Sequence, residues 1–258
     1  MAANLPAAMS GSIRLFVTPA LAEGAEVAAS AAQAHYLAHV MRRSVGGTVT
    51  LFNGRDGEWQ ARIAALRGDR AAFVAERQLR PQSASTDLWL AFAPLKRDAT
   101  DLVVQKATEL GVAALLPVTT ARSNATRINP DRLAAIATEA AEQSERLTVP
   151  EIRPLVNLPT LLRDWPAGRR LVAATERIAA PRIAPAPGPA PGPAPGPAGL
   201  LVGPEGGFTE RELDALGSHP FVVRANLGPL ILRAETAAIV GLALLQAPGC
   251  ATRDGQTA

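Results

Sequence analysis

From Leu88 onward, short apolar runs alternate with amphipathic helical stretches, and this alternation restricts the fold more than any other feature of the chain. Leu88–Ala93, Val112–Val118, Leu171–Ala174, Leu200–Val202 and Phe221–Val223 read as buried strands. Between them, Thr100–Leu110 sets Val103, Val104, Ala107 and Leu110 on one helical face, with Gly111 as a stop signal. Pro130–Arg146 does the same with Leu133, Ile136, Ala137, Ala140 and Ala141, and an apolar helix over Glu235–Gln246 closes the pattern. Strands separated in this way by helices imply a largely parallel α/β sheet, with any ligand at the carboxyl ends of its strands.

The front of the chain is different. Ile13–Val17, Val49–Phe52, Glu58–Ala64 and Ala71–Glu76 are strand-like, Asn53-Gly54 and Asp56-Gly57 are turns, and one helix is expected over Gln33–Arg42. Several short strands with glycine turns read as a small barrel, a common binding module. The polar linker Pro81–Thr86 then separates a barrel over residues 13–80 from an α/β domain over 87–248. Inside the latter, residues 184–199 repeat an Ala-Pro-Gly-Pro unit. Proline donates no backbone hydrogen bond, so an extended, mobile loop is expected there.

Composition narrows the classes. With 48% hydrophobic and 19% charged residues the chain can bury a core, which excludes global disorder. No apolar run is long enough for a membrane helix, and Met1–Gly11 lacks the pattern of a secretory signal. The single cysteine, Cys250, forms no internal disulfide, so a reducing cytoplasm is the expected location. The net charge is +3 and the pI about 9.7. Lys96 and Lys106 are the only lysines, so every other basic residue is arginine, whose planar fork suits phosphate. This permits a nucleic-acid partner without showing one.

Two loops carry chemistry. In Leu200-Leu-Val-Gly-Pro-Glu-Gly-Gly-Phe-Thr209 an apolar strand enters a loop with three glycines, after which Thr209 and Glu212 form a T-x-x-E capping box. Glycines let a ligand approach the backbone closely; the spacing fits neither G-x-G-x-x-G nor a P-loop. An ordinary glycine turn is an equal reading of this segment taken alone. In Leu227-Gly-Pro-Leu-Ile-Leu-Arg-Ala-Glu-Thr236, Arg233 and Glu235 sit at the rim of an apolar stretch that opens a helix. Each alone could be a solvated helix-end charge.

Together these loops resemble the RsmE family of ribosomal RNA uridine-N3 methyltransferases, within the SPOUT superfamily. Lys106-Ala-Thr-Glu-Leu-Gly111 is similar to that family's helix end, and Glu142-Gln143-Ser144 with Arg146 and Pro150 to its EQSxR…P segment. Arg14-Leu-Phe16, His35–Arg42 and Phe52-Asn-Gly54 resemble its PUA-like front module. The likeness runs over residues 13–247. The chain departs from the family in having Leu230 where Arg is common and Glu145 where Gly is common.

The resemblance implies a trefoil-knotted α/β SPOUT domain behind a PUA-like β-barrel, a homodimer, and methyl transfer from S-adenosyl-L-methionine to N3 of a uridine, usually U1498 of 16S ribosomal RNA. It implies cofactor contacts at Thr175, Val202, Gly203, Pro204, Glu205, Gly206, Leu227, Gly228, Ile231 and Leu232. The uracil nitrogen must lose a proton before it attacks, which calls for a proton acceptor and nearby positive charge. Arg233 is the candidate for the charge, and Glu235 and Glu205 are candidates for the acceptor. Arg14, Arg42, Lys96, Arg122 and Arg146 are candidate phosphate contacts to RNA or to the small ribosomal subunit. No metal and no membrane partner are expected. The rival readings are another SPOUT methyltransferase, acting on a ribose hydroxyl or a different base, and a non-catalytic RNA-binding or assembly factor on the same fold.

Overall fold

The structure, a computed structural model, describes residues 13–83, 86–125, 127–175, 183–184, 196–247 and 251–252. The chain divides into two compact units: Met1–Ala84 with Ala141–Thr148, and Ser85–Ala140 with Val149–Ala258.

The first unit holds β1 (Arg14–Phe16), β2 (Glu26–Ala28), α1 (Ala31–His35), β3 (Thr48–Phe52), β4 (Glu58–Arg67) and β5 (Arg70–Arg80). They form a five-stranded sheet in the order β1-β3-β4-β5-β2, with β1 parallel to β3 and the other pairs antiparallel. Bulges in the β4–β5 pairing allow that long hairpin to bend. Its core gathers Leu15, Val27, Leu37, Val49, Leu51, Ile63 and Phe73. Helix α1 starts at a Ser30/Gln33 capping box and continues as a π-helical turn over Tyr36–Val40.

The helix expected over Pro130–Arg146 ends at Gln143. Glu145 has φ +56°, a left-handed conformation that cannot continue an α-helix. The segment after the helix is held by two arginines. Arg14 donates from Nη1 to the carbonyls of Ala141 and Glu142, from Nη2 to that of Arg146, and from Nε to Glu58 at 2.7 Å. Arg80 donates to both Glu58 oxygens and to the Glu145 carbonyl. The Phe16 N–H donates to the Glu142 carboxylate. Ala141–Thr148, placed by sequence in the second domain, therefore groups with the first unit.

The second unit contains β6 (Leu88–Phe92), α2 (Arg97–Glu109), β7 (Ala114–Thr119), α3 (Pro130–Gln143, to Ala140), β8 (Glu151–Ile152), β9 (Val156–Asn157), α4 (Leu158–Arg163), β10 (Arg170–Ala174), β11 (Ile183–Ala184), β12 (Ala198–Val202), α5 (Glu210–Gly217), β13 (Val222–Ala225), α6 (Ala234–Gln246) and β14 (Ala251–Thr252). Six strands lie parallel in the order β13-β10-β12-β6-β7-β8, with β9 also pairing β7.

Successive strand residues serve opposite faces. Leu90, Val172 and Leu200 pack with Val103 and Val104 of α2, Leu133 of α3 and Leu242 of α6. Ala91, Leu171 and Leu201 pack with Leu158 and Leu162 of α4 and Leu216 of α5. Both faces are covered, so the strands are continuously apolar rather than alternating. Each fully buried Leu or Val contributes about 1.5–3 kcal/mol.

The stretch expected as a loop over residues 184–199 is shorter at its carboxyl end. Ala198 and Gly199 are the first residues of β12, and a Cβ at Gly199 would stand 2.6 Å from the Trp165 ring. Residues 185–195 of that expected loop lie outside the described residues.

Candidate active site

Three strands end in one row. Ala174 of β10 pairs with Val202 of β12 on one side and with Ala225 of β13 on the other. The chain therefore leaves the sheet at Thr175, Gly203 and Asn226, three neighbouring points on the carboxyl edge. A cavity of about 580 Å³ lies there, lined by all three exits. That volume suits a small organic ligand.

The cavity brings together all ten residues expected to hold a cofactor, together with Arg233 at the N-cap of α6. In the glycine loop the Gly207 N–H donates to the Pro204 carbonyl at 2.8 Å, closing a tight turn in which Gly207 has φ +66°. A Cβ at Gly203 would lie 3.0 Å from the Phe208 ring, and one at Gly206 3.2 Å from Arg122 Cβ. A side chain at either position would press on these neighbours before any ligand is considered. The expected capping box is present: Thr209 N–H donates to Glu212 Oε2 at 2.8 Å, and Glu212 N–H donates back to Thr209 Oγ1.

In the third loop Asn226 Oδ1 accepts from the Gly228 N–H at 2.7 Å, shaping the turn before Pro229. Leu227 and Leu232 are half-buried apolar walls, whereas Leu230 is 77% and Ile231 56% exposed. Asn226, Phe208, Leu213, Pro229 and Ala237 also line the cavity. Sequence reasoning missed them, although Phe208 stands in the quoted motif and Asn directly before a Leu-Gly-Pro turn is a recognisable turn signal.

Thr175 decides what the cavity fits. It is buried, its N–H donates to the Ala225 carbonyl at 3.0 Å, and its Oγ1 has no partner among the described residues. A buried hydroxyl left unpaired costs about 1–3 kcal/mol, so a hydroxyl in a cavity wall is suited to meet a polar group there. An unpaired hydroxyl, half-buried leucines and a close-packed glycine turn fit a ligand with an apolar body and polar edges.

Arg233 is exposed at the N-cap of α6, where no side chain caps the helix. Its charge adds to the positive end of the helix dipole at the cavity wall. Neither Arg233 nor Glu205 nor Glu235 forms an ion pair among the described residues. Glu205 is exposed and lines the cavity; Glu235, one residue inside α6, does not.

The five candidate RNA contacts separate. Arg14 is corrected: its side chain is 9% exposed, and its guanidinium is committed to Glu58 and three carbonyls. Arg146 is also held within the protein. It is half-buried, donates to Thr148 Oγ1, and burial pulls its pKa down to about 10. Arg42, with φ +49°, and Lys96 at the N-cap of α2 are exposed. Arg122 is exposed too, but it lines the cavity and donates to the Gly206 carbonyl. Among the described residues no cluster of three or more metal-ligating side chains occurs, and no helix is long and apolar enough to cross a membrane.

A parallel sheet with its cavity at three adjacent carboxyl ends, beside an uncapped cationic helix start, defines a ligand-binding α/β domain. Residues 82–246 match the RNA methyltransferase domain family and residues 30–76 the RNA methyltransferase PUA domain family, and the chain belongs to the RNA methyltransferase family. It is 33% identical to Ribosomal RNA small subunit methyltransferase E of Rickettsia conorii, over 92% of this chain and 96% of that protein. It is 31% identical to the protein of the same name from Synechocystis, over 91% and 77%. Among solved structures, the Neisseria gonorrhoeae Ribosomal RNA small subunit methyltransferase E bound to S-adenosyl methionine matches with a TM-score of 0.77 at 28% identity, over 91% of this chain and 97% of that one. A Legionella pneumophila structure in complex with the same cofactor matches with a TM-score of 0.78 at 27% identity, with the same coverage.

Proposed function

We propose that the chain methylates N3 of a uridine in 16S ribosomal RNA, using S-adenosyl-L-methionine bound in the cavity between the exits of β10, β12 and β13. The observation that carries this reading is the Thr175 hydroxyl, which has no partner among the described residues and is buried in the wall of a cavity made by the two loops that resemble the family. The cofactor supplies an electrophilic methyl group. The protein supplies the rest. Backbone groups of Gly203–Gly206 and the Thr175 hydroxyl hold its polar edges, while Leu227, Ile231 and Leu232 cover its apolar body.

Uracil N3 carries a proton at neutral pH, and its removal leaves an anion. Arg233 and the uncapped start of α6 put positive charge where that anion forms, and such pre-placed charge is a strong contributor to catalysis. Glu205, at the cavity, is the better placed acceptor for the proton; Glu235 would need to reach in from the helix. Exposed Arg42 and Lys96 are suited to meet RNA phosphates. A homodimer in which a second copy covers exposed Leu230 belongs to the same reading. The family's knotted threading and a cytoplasmic location belong to the same reading.

Transfer of labelled methyl from S-adenosyl methionine to 16S RNA or to small subunits, with the product nucleoside identified by mass spectrometry, tests it. N3-methyluridine is the expected product. A 2′-O-methylated nucleoside, or no transfer by a chain that binds RNA, would overturn it.

A further inference from the structure

The turn after β7 is tied to the glycine loop at two points. Arg122 Nη1 donates to the Gly206 carbonyl at 2.7 Å and to the Phe208 carbonyl at 3.4 Å. The Ala121 N–H donates to Glu212 Oε1 at 2.7 Å, while Glu212 Oε2 accepts from the N–H and hydroxyl of Thr209. The turn is itself closed, by the Thr120 N–H to Ser123 Oγ at 2.9 Å and the Ser123 N–H to the Thr120 carbonyl at 3.1 Å.

The Gly206–Gly207 peptide is therefore held at both ends. Its carbonyl accepts from Arg122, and its N–H donates to Pro204. Between two glycines a peptide plane has little steric resistance to rotation, so without these bonds it would sample several orientations. Arg122 contributes nothing to the sheet: it is exposed, and its only partners among the described residues are loop carbonyls.

We infer that Arg122 is a positioning residue for cofactor binding, which fixes the Gly206–Gly207 peptide and so presents the glycine loop in one shape, with Glu212 as a second latch. The inference rests on the reading of this cavity as the S-adenosyl methionine site. Fixing a loop in its bound shape before the ligand arrives raises affinity without adding any contact to the ligand. Both bonds leave one nitrogen, Nη1, so the ammonium of a lysine, on a different stem, can donate to the same carbonyls and restores part of the effect. Glutamine at 212 offers one acceptor oxygen where Glu offers two, so it must release either Ala121 or Thr209.

Calorimetric titration of the full chain with S-adenosyl methionine, together with separate KM values for cofactor and RNA, tests this. Arg122→Ala is expected to weaken cofactor binding about tenfold and raise the cofactor KM in proportion, with kcat at saturation, RNA KM and melting temperature near wild type. Arg122→Lys should recover part of the affinity, and Glu212→Gln should show a smaller loss of the same kind. Should Arg122→Ala melt early, Arg122→Lys and Glu212→Gln carry the test by the same readouts. Wild-type cofactor affinity in all three variants overturns the inference, as does a loss confined to the RNA KM and its salt dependence, which would make Arg122 a phosphate contact. If the wild-type chain itself binds no S-adenosyl methionine, the cofactor reading fails before any variant is compared.

Discussion

Arg80 Nη2 donates to the carbonyl of Glu145 at 2.8 Å, and Glu145 meets it with φ at +56°. A left-handed backbone costs a residue with a Cβ about 1–2 kcal/mol, and glycine avoids most of that. The bond from Arg80 goes to the main chain and survives a change of side chain. Glu145→Gly is therefore expected to stabilise the protein by about 1 kcal/mol, read as a rise in the denaturant midpoint at unchanged slope. An unchanged or lowered midpoint would show that the Glu145 side chain offsets the strain.

Glu58 links Arg14 and Arg80 and gives the first unit a sensitivity to acid. Burial pushes its pKa up, but hydrogen bonds from Arg80 and Arg14, and then their charges, outweigh burial and hold it below the ordinary carboxylate value. The stability this provides is complete above the unfolded value and is lost as pH falls through the lower folded value. Stability followed from pH 6 downward should show this loss, and Glu58→Gln should flatten that limb while lowering stability at neutral pH. Parallel acid limbs in the two proteins would exclude Glu58 as the source.

Thr175→Val should move two properties in opposite directions. Valine keeps the shape and removes a buried hydroxyl that has no partner among the described residues, so the ligand-free protein should be as stable or more stable, by up to about 1 kcal/mol. The same hydroxyl is the proposed partner of the cofactor, so affinity for S-adenosyl methionine should fall about fivefold or more. Melting temperature without ligand and a calorimetric Kd on the same preparation decide it. Unchanged affinity would remove Thr175 from the site.

Arg233→Ala should lose turnover on a scale of about 100- to 1,000-fold, the usual effect of deleting one donor to a developing anion. Cofactor affinity should stay within a few-fold of wild type, because the apolar pair before it forms the cofactor's wall. Arg233 forms no ion pair among the described residues, so melting should also be unaffected. Single-turnover transfer at the wild-type rate would remove Arg233 from the chemistry.

The sequence made the second unit's sheet legible because its strands are buried on both faces, so even five-residue runs such as Leu88–Phe92 stand out. The Thr209/Glu212 capping box was equally readable, since its geometry depends on residues three apart. Short elements were missed. β2 turns only Val27 inward, and β8 and β9 are two residues each, too short to show a period. Helix α4 did carry a signal, with Asn157 as N-cap and Pro159 in the first turn. The arginines could not be told apart by sequence. Arg14 and Arg122 are alike in sequence, and what separates them is a partner far along the chain, Glu58 for one and Gly206 for the other.

The pairing of Leu90 with Leu200 bears on how this protein is made. β6 leaves the ribosome well before its neighbour on one side, a strand delivered 110 residues later (Leu90 to Leu200). Until then, one hydrogen-bonding edge and much of the apolar surface of β6 have no native partner, a condition that invites aggregation and slows folding. The first unit's sheet closes over strands that lie near one another in sequence, so it can form while translation continues. Slow synthesis, or a chaperone that shields apolar segments, should therefore matter to the yield of the second unit far more than to that of the first.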